Sequence, residues 1–229
     1  MKPLRLVPLV VLAALAVGVV AARADVPTNE CNGIQECERA EGPWVIVPKH
    51  GWVQYLLNCP GRRGIAGGIE AIATSTDVHV SWDAKLGSPP APGRSTQQYV
   101  LFRAISGGHR VGAFKPRIGC IPTGPTRTTT MVHATIPGAP LNYAAATVKL
   151  RTGTVGRTNI GCIPTQTLVD SWTAIAFRTT EPPRLGFSQA IQVNKTMQGK
   201  KVGVTIAVSE ALPPRTGAEV QLGVTCAQS

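Results

Sequence analysis

Four residues within one short stretch carry the groups a hydrolase uses. Asp77, His79, Ser81 and Asp83 bring two carboxylates, an imidazole and a hydroxyl together in sequence. Val78, Val80 and Trp82 alternate with them, so the stretch reads as a strand with one polar and one apolar face. Neighbours on one strand face stand about 6.5–7 Å apart, whereas triad partners need hydrogen bonds of about 3 Å. The polar row therefore reads as a solvated strand face, and Trp82 as core.

No other pattern in the chain assigns catalysis. There is no Gly-x-Ser-x-Gly elbow and no His-Glu-x-x-His pair. His50, His109 and His133 are scattered, each without a partner at ligand spacing, and Cys-x-x-C is absent, which argues against zinc. Ser106-Gly-Gly-His109 and the turn holding Arg62 and Arg63 read as ordinary turns. Trp44 and Trp52, on either side of Pro48 and Gly51, suit packing better than sugar stacking. No catalytic residue, metal or cofactor is assigned.

Six cysteines remain as the residues with definite chemistry: Cys31, Cys37, Cys59, Cys120, Cys162 and Cys226. An even count implies disulfides if the compartment is oxidising, and the N-terminus supplies that compartment. Lys2 and Arg5 precede an uncharged apolar run from Leu6 to Ala22, and Ala22-Arg23-Ala24 is a small-x-small cleavage site. Residues 1–24 read as a cleaved signal peptide. The product is secreted or extracytoplasmic, with no stable membrane span after cleavage.

The elements that must position these residues are strands. Lys201–Val208 and Ala218–Cys226 alternate apolar and polar residues, and shorter β-like runs recur between Pro- and Gly-rich breakers. Phe187–Val193 and Thr128–Ile136 join that set, and only Leu141–Ala146 looks capable of a helical turn. The class is all-β, an antiparallel β-sandwich.

Two tandem units are expected. From Cys59 and from Cys162, an Ala-Ile-Ala triplet falls at the same offset, at Ala71–Ala73 and Ala174–Ala176. Each stretch then ends on a strand closed by Cys120 or Cys226. The boundaries are an acidic segment at 25–43, unit one at 44–122, a Pro/Thr linker at 123–130 and unit two at 131–229. One larger sandwich is the alternative. The brackets predict Cys59–Cys120 and Cys162–Cys226, which leaves Cys31–Cys37 as a local loop.

Charge is the remaining signal. The chain holds 23 basic and 12 acidic residues, and loss of Lys2, Arg5 and Arg23 lowers the net charge of +11 by those three, to +8. Residues 84–169 contain ten basic side chains and no acidic one. Arg94, Arg103, Arg110, Lys115, Arg117 and Arg127 are the candidate contacts for a polyanionic partner: an envelope polymer, glycan or nucleic acid. The acidic N-terminal segment is expected to dock on this stretch. The functional expectation is a secreted, non-enzymatic binding or surface-associated module. A secreted hydrolase with an unrecognised site, or a purely structural extracellular protein, are the alternatives.

Overall fold

A computed structural model describes residues 37–61, 63–83, 99–122, 141–153, 155–209, 212 and 216–228. The expected leader, Cys31, most of the acidic segment, Arg94, Arg127, the Thr128–Ile136 run and the linker lie outside these residues.

Thirteen strands are described. They are β1 Glu38–Glu41, β2 Trp44–Val47, β3 Trp52–Asn58, β4 Arg63–Ala73, β5 Val78–Asp83, β6 Tyr99–Ser106 and β7 Gly112–Pro122, followed by β8 Leu141–Lys149, β9 Val155–Gly161, β10 Gln166–Phe177, β11 Ile191–Gln198, β12 Lys201–Val208 and β13 Ala218–Gln228. Every pairing between them is antiparallel. Two of the local expectations fail. Leu141–Ala146 is strand, because nine ladder pairs with β13 outweigh the helix preference of its alanines. Residues 185–190 form a 3-10 helix, and strand begins only at Ile191.

The two halves of the chain repeat one strand order. In the first, β7 pairs with β4 and β2, and β6 pairs with β3 and β5. In the second, β13 pairs with β10 and β8, and β12 with β9 and β11. Registers match as well. Arg63 faces Pro122, and Gln166 faces Gln228, each pair four residues after the first cysteine and two after the second. The Ala-Ile-Ala triplets are nonetheless one residue out of step. Ala73 faces Phe114, and its counterpart facing Val220 is Ile175, because β4 carries a longer bulge than β10.

The halves share their middle layer. A two-residue ladder, Val45 with Ala176 and Trp44 with Phe177, joins β2 to β10 and makes one seven-stranded sheet across both halves. The three-stranded sheet β3-β6-β5 covers one face, where Val53, Tyr55, Val100 and Phe102 pack on Val45, Phe114, Ile118 and Ala174. The sheet β9-β12-β11 covers the opposite face, where Val202, Val204 and Ile206 pack on Phe177, Val220, Leu222 and Val224. The result is a three-layer β structure with a core on each side of the central sheet.

Two disulfides staple these layers. Cys59–Cys120 and Cys162–Cys226 each join the end of an outer-sheet strand region to the last central strand of its own half, with Cα atoms 5.7 Å apart. Cys37 is also disulfide-bonded, and its expected partner Cys31 lies outside the described residues. In the chain-entropy account, closing loops of this length contributes about 4 kcal/mol each.

Candidate functional site

The expected solvated row on β5 is there. His79 and Ser81 are exposed and face Ile105 and Arg103 across the ladder. Asp83 instead turns to the second half, where its carboxylate accepts a hydrogen bond from the Tyr143 hydroxyl. Burial, reinforced by this bond to a carboxylate, pushes the Tyr143 phenol well above its usual range. Trp82 corrects the sequence reading. It shares a face with Val78 and Val80 and touches Phe102, with ring centroids 6.4 Å apart, but it remains 45 % exposed. The strand runs past the edge of the core at this point, so correct parity does not bring burial.

The basic candidates divide into two groups. Lys115 is buried, stands over the Trp44 ring at 5.6 Å and forms an ion pair with Glu41. Arg117 reaches the other oxygen of Glu41 at 3.3 Å. The docking expected of the acidic segment takes this form: β1 lies along β7, with Glu41 opposite Arg117. The two cations thus share one carboxylate within the molecule. Arg103 and Arg110 are exposed.

A contact that the sequence does not announce lies beside Arg110. His50 and His109, distant in sequence, meet through Nε2 and Nδ1 at 2.9 Å, with edge-on rings 4.6 Å apart. The backbone brings them there. Gly51 accepts from the Ser106 amide, and the His50 amide donates to Gly108 at 3.3 Å. His50 sits at φ 47°, a left-handed conformation uncommon for a residue with a side chain. The turn 48–51 and the turn 107–110 therefore place Lys49, His50, His109 and Arg110 at one end of the β3-β6-β5 sheet.

The outward face of that sheet continues from this end in cross-strand rows. Trp52 faces Ile105, Gln54 faces Arg103 and Leu56 faces Leu101. The last row is buried under Trp172 of β10. The first row is open, with Trp52 55 % and Ile105 59 % exposed. Between them lies an open groove of about 290 Å3 lined by Trp52, Gln54, Arg103, Ala104, Ile105 and Asp170. Gln54 is 6 % exposed, and its Oε1 has no hydrogen-bond partner among the described residues. Asp170 accepts from the Ser171 amide through Oδ1 at 2.7 Å. The sequence alone reads Trp52 as packing and does not single out Gln54 or Asp170. Both faces of β3 are rich in apolar residues, so alternation alone does not say which one is outward.

Buried polar groups tie β3 to the second half. Tyr55 donates to Glu219 Oε1 at 3.0 Å, and Arg178 donates to the same carboxylate at 2.7 and 3.2 Å. Burial first, and then the Glu219 charge, raise the Tyr55 phenol far above its ordinary value. Gln221 bonds both the amide and the carbonyl of Leu56, at 2.7 and 3.0 Å. Among the described residues no cluster of three or more His, Cys, Asp or Glu is placed to hold a metal ion, and no helix is long and apolar enough to cross a membrane.

No family model matches the chain, and neither the curated proteins nor the solved structures include a significant match.

Proposed function

We propose that this chain is a secreted, non-enzymatic binding module that engages a polyanionic partner through one end of the β3-β6-β5 sheet. The observation that carries this reading is the His50–His109 contact, which collects Lys49, His50, His109 and Arg110 on two adjoining turns. Arg103 extends the basic surface along the outward face, and Trp52 interrupts it with an exposed ring. Cations held on short, backbone-braced turns meet anionic groups at fixed spacing, and such contacts weaken as salt rises. The contact set is narrower than the basic stretch of the sequence, because Lys115 and Arg117 already face Glu41.

A salt gradient on immobilised heparin tests the reading. The triple variant Lys49→Glu, Arg103→Glu, Arg110→Glu should elute at clearly lower salt than the parent. The triple variant Lys195→Glu, Lys200→Glu, Lys201→Glu, which changes charge equally on the other half, should elute nearer the parent. Equal shifts for the two would mean that only net charge matters, and the proposed surface would be lost.

A further inference from the structure

Resting on that reading of the sheet as a binding surface, we infer that the groove at its inner end takes one uncharged, hydroxyl-bearing sugar ring, which makes the partner a polysaccharide. The groove has two kinds of wall. Trp52 and Ile105, paired across the ladder and both more than half exposed, form an apolar shelf. A pyranose ring presents an apolar C–H face of matching character, and an indole buries such a face at low conformational cost.

The polar wall discriminates. Arg103 offers guanidinium donors, and its charge also acts on the Tyr143 hydroxyl beside Asp83. Asp170 lines the same groove and uses one carboxylate oxygen on the Ser171 amide. A hydroxyl is both donor and acceptor, so neighbouring hydroxyls satisfy a guanidinium and a carboxylate together. A phosphate or sulfate at this spot would accept from Arg103 but be repelled by Asp170. Gln54 is more than nine-tenths buried and lines the groove, and its Oε1 has no hydrogen-bond partner among the described residues. That oxygen lies beneath the surface, so a sugar hydroxyl pairs with it only once the amide turns toward the groove. Anionic groups elsewhere on the polymer would meet Arg110 and Lys49 at the sheet's end.

Affinity electrophoresis of the whole protein through gels holding soluble β-glucan, mannan, arabinogalactan or galactan provides the test. Running it in about 1 M salt suppresses charge contacts, because the screening length there is only about 3 Å. At least one neutral polysaccharide should retard the parent. Trp52→Ala should weaken that retardation about tenfold or more, and Asp170→Asn should weaken it less. Trp82→Ala, which removes the other exposed indole away from the groove, should leave it unchanged. Thermal melting of each variant guards against loss of fold, and Trp52→Phe, which keeps a stacking ring, should restore much of the binding. Retardation by none of the four polysaccharides, or equal retardation of parent and Trp52→Ala, would overturn the inference. So would low-salt binding to heparin or single-stranded DNA with no neutral sugar bound, an outcome that leaves the proposed binding surface standing. Neutral sugar bound with no heparin retention would do the opposite.

Discussion

The two outer sheets have the same strand order and the same register, yet their outward faces differ row by row. Leu56 and Leu101 of the first correspond to Asn159 and Gly203 of the second, and Gln54 and Arg103 correspond to Arg157 and Thr205. The cause lies in the neighbour. In the first outer sheet one outward row, Leu56 and Leu101, is covered by Trp172 of β10 with Tyr143 and Ala145 of β8. The second outer sheet has no such cover among the described residues. The central sheet mirrors the difference: Gln221 and Gly223 stand where the first half has Lys115 and Arg117. One repeated scaffold has thus been given one face for internal docking and another for solvent. The candidate site lies where docking ends on the first outer sheet.

The strongest way to break this contrast is to empty the docked row. Trp172→Ala should cost about 3–5 kcal/mol and Leu56→Ala about 2–5, since both side chains are buried. Asn159→Ala, at the corresponding place on the uncovered sheet, should stay within about 0.5 kcal/mol. Urea unfolding followed by circular dichroism measures all three. Equal costs at Leu56 and Asn159 would mean that the two faces are not distinguished by cover.

A smaller effect is expected at the polar part of the junction. Glu219 is 1 % exposed and has Ala113 as its counterpart in the first half, so it serves the junction and not the repeat. Glu219→Ala strands the buried Tyr55 hydroxyl and should cost about 2–3 kcal/mol, moderated because Arg178 is half exposed and regains water. A double-mutant cycle with Arg178→Ala should show the two losses to be non-additive.

The mildest test is alkaline. Tyr55 and Tyr143 both have phenols raised above the unfolded value of about 10. The folded state therefore holds these protons more tightly than the unfolded state. Their contribution is complete below about pH 10 and is lost as pH rises beyond it. The double variant Tyr55→Phe, Tyr143→Phe should be less stable at neutral pH but lose stability less steeply above pH ~10. An unchanged slope would place the alkaline sensitivity elsewhere.

Much of the architecture was legible in the residues. The period-two alternation of Lys201–Val208 gave an outer strand, and two brackets of 61 and 64 residues gave two disulfides. What alternation cannot report is which second surface covers a strand. That information sits in β10 and β13, far along the chain, and so the seam between β2 and β10 and the exposure of Trp82 stayed hidden. The site was half visible. Arg103 and Arg110 stood out by charge, but Trp52 and Gln54 gained meaning only from the rows that β6 imposes on β3. His50 and His109 meet because two turns touch, and no local pattern encodes that.

The seam at β2 has a consequence in time. Cys59, Cys120 and all of β2 to β7 are synthesised before any of the second half, so in a chain exported during its synthesis the first bridge can close while β10 does not yet exist. Until it arrives, the first half displays an unsatisfied strand edge at Val45 and an oily stripe at Leu56 and Leu101. At ordinary elongation rates the roughly 100 residues between β7 and the end of β13 take about 5–20 s to appear. A bare edge beside an apolar stripe is what neighbouring chains add to. Nascent chains should therefore be most vulnerable to mutual capture in that interval, and a chain cut short in the linker should aggregate instead of persisting as a soluble half.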